Sequence, residues 1–93
     1  MRESKIENRF RQEVRKRGGI AFKFVSPGIA GVPDRLAILP GGRVAFVELK
    51  APGKILKPLQ QKRKHQLESL GCRVYVIDSM EEIGVILDEI QAT

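Results

Sequence analysis

Two apolar segments separated by Pro40-Gly41-Gly42 constrain the fold of this chain more than any other feature. Residues 34–39 and 43–50 both have the composition of β-strands. Strands joined by so short a glycine-containing loop form an antiparallel hairpin. The two segments therefore predict neighbouring, antiparallel strands of one sheet.

The length of the hairpin loop decides which side chains share a face. A three-residue loop, Pro40 to Gly42, places Asp34 opposite Glu48, and cross-strand partners lie on the same face. A two-residue loop formed by Gly41-Gly42 shifts the pairing by one residue and sends the two acids to opposite faces. We predict the three-residue loop and hence a shared face.

Hydrophobic periodicity predicts three helices and four strands in the order α-β-β-β-α-β-α. The hairpin is followed by a helical crossover to the last strand. We therefore predict an α/β fold with a mixed sheet of about four strands, flanked by helices. Leu59, Leu67 and Leu70 of the second helix are expected to face the core. The predicted elements are helices 4–17 and 58–70, a last helix starting after Ser79, and strands 20–25, 34–39, 43–50 and 72–77.

The length of the chain bounds its organisation. With 93 residues, a single domain covering residues 1–93 is expected. Hydrophobic residues make up 42% of the sequence, with four Phe, one Tyr and no Trp, so the core must be aliphatic. A small aliphatic core is marginally stable, and association of two copies is a common way to support it. Size alone makes a homodimer a natural expectation.

Cysteine and histidine content excludes several kinds of site. The single Cys72 cannot form an internal disulfide, and with the single His65 it cannot build a thiolate and imidazole zinc site. A metal bound by oxygen ligands stays open. No apolar run approaches the roughly 20 residues that cross a bilayer. The sequence therefore predicts a soluble, cytoplasmic protein that does not contact the membrane.

Positive charge is concentrated in part of the chain. Seventeen Lys and Arg against eleven Asp and Glu give a net charge of +6, and residues 50–64 contain six bases and no acid. Residues 65–93 contain one Arg and six acids. Clustered bases suit a polyanion, because binding to a phosphate backbone releases counterions. A solvated basic surface has the same pattern, so charge by itself does not identify a nucleic-acid-binding protein.

Charged residues at the end of the second hairpin strand suggest chemistry. Glu48 and Lys50 share a strand face with apolar residues, and an unpaired buried carboxylate is costly. An ion pair between them at the rim of the sheet explains both charges when they are considered alone. Asp34 adds a second carboxylate, and two carboxylates in a partly dry site repel unless a cation lies between them.

A hard divalent cation resolves this repulsion. Oxygen ligands without a Cys or His cluster favour Mg²⁺, with Mn²⁺ as a substitute, and Mg²⁺ is commonly held by one or two carboxylates plus a phosphate. Asp34 and Glu48 are the predicted ligands, and the backbone carbonyl of Leu49 is a candidate third ligand. The ammonium group of Lys50 is placed to orient a water or to offset charge on the phosphate.

Two short motifs resemble the PD-(D/E)XK nuclease superfamily. Gly-Val-Pro-Asp-Arg at residues 31–35 and Glu-Leu-Lys-Ala at residues 48–51 carry the likeness, which extends over nearly the whole chain and is strongest to the VRR-NUC group. The resemblance implies a restriction-endonuclease-like core. It also implies a small, stand-alone enzyme of bacteria or bacterial viruses, similar to Holliday junction resolvases in being a homodimeric, metal-dependent DNA nuclease.

The resemblance implies roles for individual residues. Asp34 and Glu48 become metal ligands, Lys50 the catalytic lysine, and Gln60 a catalytic helper that orients Lys50 or the water. Segments that lead to or from the site supply candidate phosphate contacts for DNA. These candidates are Lys23, Ser26, Lys54 and Lys57.

Two of the implied residues have simpler interpretations of equal weight. Glu7 on the first helix is a further acid near the metal by resemblance, but an ion pair with Arg11 one turn later accounts for it as well. Gln60 is equally a solvated residue in the first turn of its helix, and the adjacent Gln61 leaves the alignment a matter of judgement.

We predict a Mg²⁺-dependent, structure-selective DNA endonuclease that hydrolyses phosphodiester bonds as a homodimer, in the manner of a Holliday junction resolvase. Few aromatic residues and no recognition-helix motif argue against base-specific recognition and leave backbone, shape and strand geometry as the determinants. The resemblance to Holliday junction resolvases implies branched DNA as the partner. The first alternative is a non-catalytic nucleic-acid-binding module that retains the fold. The second is a structural assembly protein in which Glu48 only pairs with Lys50.

Overall fold

The computed structural model describes residues 1–92, which form three helices and one four-stranded sheet. The elements follow the predicted order and the sheet is mixed, so the predicted fold class is confirmed. Within residues 1–92, no helix has the length and apolar character needed to cross a membrane. The elements are α1 (Glu3–Lys16), β1 (Ile20–Lys23), β2 (Arg35–Leu39), β3 (Arg43–Leu49), α2 (Pro58–Ser69), β4 (Val74–Ile77) and α3 (Met80–Ala92).

The register of the hairpin places the two acids side by side. The strand order is β1-β2-β3-β4, with antiparallel pairing throughout except between β3 and β4, which are parallel. Leu39 pairs with Arg43, so the loop between β2 and β3 has three residues, as predicted. Extending this register by one residue beyond β2 brings Asp34 opposite Glu48. The predicted shared face is therefore confirmed.

Strands β1 and β4 are shorter than their apolar segments. β1 ends at Lys23 because its partner β2 begins at Arg35, which pairs with Lys23. β4 begins at Val74, which is the first residue paired with β3. A strand lasts only as long as its ladder, so apolar composition overestimates both lengths.

The core lies on one face of the sheet, beneath α1 and α3. The apolar stripes of both helices are fully buried, and each such side chain contributes about 1.5–3 kcal/mol. An ion pair of 2.6 Å between Arg17 and Asp88 joins the two helices at the surface. The buried helix residues are Ile6, Phe10, Val14, Ile83, Leu87 and Ile90, and the sheet contributes Ala37, Leu39, Ala45, Val47, Leu49 and Ile77.

Helix α2 does not join this core. None of its residues is buried, and Leu59 and Leu70 are 44% and 75% exposed, so the prediction that its leucines face the core is wrong. Its apolar residues are too widely spaced along the helix to form a continuous stripe. Instead, α2 contacts the loop before β2, where Arg63 donates to the carbonyl of Ala30 at 3.0 Å. The helix therefore packs at the end of the sheet where the two acids lie.

Candidate active site

Asp34 and Glu48 are joined by a reciprocal pair of hydrogen bonds. The backbone amide of Asp34 donates to Oε1 of Glu48 at 3.2 Å, and the amide of Leu49 donates to Oδ1 of Asp34 at 3.1 Å. Each carboxylate is thus held by the backbone of the opposite strand. The hairpin thus fixes the position of both side chains.

Burial makes it costly to charge both carboxyl groups. Only 6% of Glu48 is exposed, and its burial followed by the charge of Asp34 raises the pKa of Glu48 from 4.5 to about 7, against the opposing effect of Lys50. Burial also raises the pKa of Asp34, while the hydrogen bond from the Leu49 amide lowers it. Two adjacent carboxyl groups with raised pKa values form a site that a cation would stabilise.

Lys50 and Gln60 both reach the same oxygen of Glu48. The Nζ atom of Lys50 lies 3.6 Å from Oε2 of Glu48, and only 12% of its side chain is exposed. Nε2 of Gln60 donates to that oxygen at 2.9 Å. Oε1 of Gln60 accepts from the amide of Lys57 at 2.9 Å, which caps the start of α2. The structure thus brings Asp34, Glu48, Lys50 and Gln60 together, and the contact of Gln60 is with Glu48 rather than Lys50.

Glu7 pairs with Arg35 rather than with Arg11, and its role as a metal ligand stays a prediction. Its Oε1 accepts from Nη2 of Arg35 at 2.6 Å, in an ion pair that includes neither Arg11 nor the two site acids. Arg35 is 8% exposed and also donates to the carbonyl of Ala21 at 3.4 Å. The charge of Glu7 nevertheless contributes to raising the pKa of Asp34. Glu7 therefore lies at the border of the site as the partner of a buried arginine.

Sequence reasoning missed Arg35 and the amide of Leu49. Arg35 alternates with the buried Ala37 and Leu39 on the core face of β2, and a charge in such a position signals a buried partner. The two-residue alternation of the strand is enough to place Arg35 on the buried face from the sequence alone. Leu49 was expected to act through its carbonyl, which stays a predicted ligand, whereas the contact observed is through its amide.

The predicted DNA contacts border the site in three segments. Lys23 ends β1 and pairs with Arg35, while Ser26 is half-buried in the loop that follows. Lys54 and Lys57 are exposed between β3 and α2. Within residues 1–92, none of the three lysines forms an ion pair. Three unpaired lysines around two carboxylates suit a phosphate chain that passes over the acids.

The side chains at the site limit which metal ions could bind there. Across residues 1–92, no three side chains of Cys, His, Asp or Glu come together as a metal-binding group. The carboxylates of Asp34 and Glu48 are oxygen donors held within one hydrogen-bond network. Mg²⁺ is commonly bound by one or two carboxylates, with water and substrate phosphate completing its coordination. The residues present therefore fit Mg²⁺ or Mn²⁺ and exclude a zinc site of the sulfur and nitrogen type.

Comparisons with known proteins agree with this geometry. A scan of the sequence against models of protein families finds no match. The chain is 53% identical over 86 residues to a protein named "Putative nuclease p44" from Acyrthosiphon pisum secondary endosymbiont phage 1, covering 92% of both chains. A solved structure described as "VRR_NUC domain" has a TM-score of 0.86 and 26% identity, covering 92% of this chain and 94% of that one. The chain belongs to the VRR-NUC family of nucleases.

Membership of the VRR-NUC family indicates that the substrate is a nucleic acid. A nuclease acts on nucleic acid, whose phosphodiester is an anion that the site must accept beside two carboxylates. The unpaired lysines would offset part of the repulsion between such an anion and the two carboxylates. The resemblance of residues 31–35 and 48–51 to the PD-(D/E)XK superfamily is therefore confirmed at the level of family and fold.

Proposed function

We propose that this VRR-NUC nuclease is a Mg²⁺-dependent endonuclease that hydrolyses phosphodiester bonds of DNA. The observation that carries the proposal is the pair of carboxyl groups of Asp34 and Glu48, hydrogen-bonded to opposite strands of one hairpin. The charge of Asp34 raises the pKa of Glu48, and a bound divalent cation would relieve that repulsion. Asp34, Glu48 and the carbonyl of Leu49 are the proposed ligands.

Each side chain of the site has a separate task in the proposal. When bound, Mg²⁺ supplies a Lewis acid that polarises the phosphate and makes a water more acidic. Lys50, held near Glu48 and mostly shielded from solvent, presents its ammonium group to the charge that develops on the phosphate oxygens. Gln60 acts as a positioning residue, because its amide fixes the orientation of the Glu48 carboxylate.

The preferred substrate is proposed to be branched DNA, with the Holliday junction as the leading case. The chain has four Phe, one Tyr and no Trp, so it has few aromatic surfaces on which unpaired bases could stack. Backbone contacts and the shape of the duplex are the remaining determinants. We also place the enzyme in the bacterial cytoplasm, since the relative named above comes from a phage.

A homodimer is proposed because the face of the sheet that carries the acids also carries an open apolar surface. Two cross-strand rows form it, and neither row contains a charge. Ile20, Phe22 and Val44 are 49%, 50% and 42% exposed in these rows. An uncharged surface is complementary to itself, as a two-fold interface requires. The rows are Ile20, Ile38 and Val44, and Phe22, Leu36 and Phe46.

A cleavage assay tests the metal and the acid pair. The wild-type chain should cut labelled DNA with Mg²⁺ or Mn²⁺ and not with EDTA, while Asp34→Asn should lose cleavage but retain DNA binding. A non-catalytic binding module would give no products with either metal. Cleavage that persists with EDTA or in Asp34→Asn would refute the proposed site.

A panel of DNA structures tests the substrate. Holliday junctions, flaps, mismatched duplexes, linear duplexes and a matched RNA duplex are compared at equal concentration with Mg²⁺. We expect the junction to be cut fastest and the RNA duplex least. Equal cutting of the unbranched linear duplex would refute the preference for branched DNA while leaving the nuclease activity intact.

A further inference from the structure

A basic groove lies between α1 and β1, outside the acid pair. Its volume is about 490 Å³, and the backbone of residues 19–22 forms one wall. Its charged lining residues are all basic, with no Asp or Glu among the residues that line it. These residues are Arg11, Arg15, Lys23 and Arg35. The groove is therefore a concave surface with one sign of charge.

Helix α1 divides its positive charges between two surfaces. Arg9 and Lys16 both pair with Glu13, at 3.5 Å and 3.1 Å. Arg11 and Arg15 are one turn apart, line the groove together, and form no ion pair within residues 1–92. Like charges at this spacing destabilise a helix. An anion bound in the groove would reverse that cost.

The wall of the groove opposite α1 is β1, the free edge of the sheet. β1 is the outermost strand and pairs only with β2. Alternate residues of an antiparallel strand direct their amide groups away from the partner, so β1 has backbone donors along this edge. Backbone amides and arginines are the groups that hold phosphate oxygens in nucleic-acid complexes. The groove thus combines both kinds of donor.

One end of the groove lies near the end of the sheet that carries the acid pair. Lys23 ends β1 opposite Arg35, and the next residue, Phe24, donates its amide to the carbonyl of Asp34 at 2.8 Å. The four residues of β1 span roughly 13 Å at about 3.3 Å per residue. The groove and the acid pair therefore lie toward the same end of the sheet, with α1 on one face and the carboxylates on the other.

We propose that this groove binds the sugar-phosphate backbone of the DNA strand that flanks the cleaved bond. Arg11 and Arg15 on α1 and Lys23 on β1 are the contacting side chains. The contacts are independent of base sequence, because no base-reading element lines the groove. The assignment rests on the proposed DNA endonuclease function and adds a second binding surface to it.

The test compares two double variants that remove the same charge from the same helix. Arg11→Gln with Arg15→Gln alters the groove, whereas Arg9→Gln with Lys16→Gln alters the surface paired with Glu13. Fluorescence anisotropy with a labelled linear duplex in EDTA gives the slope of log K against log salt. Each phosphate contact contributes about 0.9 to that slope, so the groove variant should lose about 1.8 and the control much less.

Two further variants test whether charge at these positions causes the effect: one that keeps both charges and one that also removes the charge of Lys23. Arg11→Lys with Arg15→Lys should retain most of the slope, and adding Lys23→Gln to the groove variant should lower it by about 0.9 more. Equal slopes for the groove and control variants would overturn the assignment. A groove variant that changes the sedimentation coefficient of the free protein, but not DNA binding, would assign the groove to a protein contact and also overturn it.

Failure of the groove and failure of the proposed function are distinguishable. If the wild-type chain cuts DNA with Mg²⁺ but the groove variant retains its full slope, only the groove assignment fails. If the wild-type chain binds the duplex through the groove but cuts it with neither metal, the endonuclease proposal fails and the binding surface stands.

Discussion

Burial, neighbouring charges and hydrogen bonds all act on the pKa of Glu48. Its carboxylate accepts from the amide of Asp34 and the side chain of Gln60, and Lys50 lies nearby. These contacts favour the ionised form, yet burial and the charge of Asp34 outweigh them and raise the pKa to about 7. The metal-free fold therefore carries an electrostatic cost that depends on pH.

Replacing Glu48 by Gln should stabilise the metal-free protein at high pH. Folding raises the Glu48 pKa from 4.5 to about 7, so the native state binds the proton more tightly than the unfolded state. The free energy of unfolding of the wild type consequently falls as pH rises through that window. Urea denaturation in EDTA should show Glu48→Gln more stable by about 1–3 kcal/mol at about pH 8, with a much smaller difference at about pH 5.

Glu68→Gln is the matched control, since Glu68 is exposed and pairs with Lys64 at the surface of α2. Its effect should be below about 0.5 kcal/mol and independent of pH in this range. Mg²⁺ should raise the stability of the wild type and not of Glu48→Gln. A Glu48→Gln protein that is less stable than the wild type at both pH values would contradict the electrostatic argument.

Glu7→Gln separates a structural role from metal binding. Arg35 is buried and its partner is Glu7, so neutralising Glu7 should lower the free energy of unfolding by about 1–2 kcal/mol. The affinity for Mn²⁺, measured by calorimetric titration, should change less than tenfold. Glu81→Gln, at an exposed position in the first turn of α3, is the control for both measurements. A loss of Mn²⁺ affinity as large as that of Asp34→Asn would make Glu7 a ligand.

Among the elements, the pairing of the hairpin was predictable and the packing of α2 was not. A three-residue loop and the two-residue period of strands are local rules, and together they determined that Asp34 and Glu48 share a face. The packing of α2 depends on contacts that are distant in sequence, such as Arg63 with the carbonyl of Ala30. The leucines predicted to face the core gave no information about that loop.

The ion pair between Glu7 and Arg35 shows the same limit within the site. The two residues are 28 positions apart, and their contact depends on how α1 crosses the sheet. Periodicity indicated that Glu7 borders a buried stripe, but it could not select among Arg11, Arg35 and a metal. A sequence therefore predicts pairs that one turn or one hairpin brings together better than pairs that helix packing brings together.

Gly31 determines how closely the loop before β2 approaches α2. Its φ is +85°, and a Cβ atom there would lie 2.6 Å from the carbonyl oxygen of Leu59. Gly31→Ala should therefore push the first turn of α2 away and weaken the contact of Gln60 with Glu48. Both the free energy of unfolding, measured in urea, and the rate of DNA cleavage should fall.

Gly28→Ala isolates the effect of that close approach. Gly28 has a φ of +86°, but no atom lies within 4 Å of where its Cβ would be. Both substitutions carry the strain of a left-handed alanine, about 1–2 kcal/mol, and only Gly31→Ala adds the clash. Cleavage should therefore fall further in Gly31→Ala than in Gly28→Ala. Equal cleavage rates would mean that the position of α2 does not control the site.

On the scale of the whole molecule, the two faces of the sheet have different tasks. α1 and α3 bury one face completely, whereas the other face carries the acids at one end and the open apolar rows beside them. The basic groove lies along the edge of β1, next to those rows. A second copy on the apolar rows would relate the two acid pairs by the two-fold axis and would border each groove, because Ile20 and Phe22 belong both to the rows and to the groove lining.

Val44→Lys tests this arrangement against Val85→Lys. Both valines are exposed, at 42% and 67%, but Val44 lies in the apolar rows and Val85 on the outer surface of α3. Sedimentation velocity should show a dimer for the wild type and Val85→Lys and a monomer for Val44→Lys, because a charge buried in a two-fold interface is repeated in both copies. On a Holliday junction, the monomer should nick single strands while the dimer makes paired cuts. A Val44→Lys protein that remains dimeric would place the interface on another surface, and a monomeric wild type would refute the homodimer.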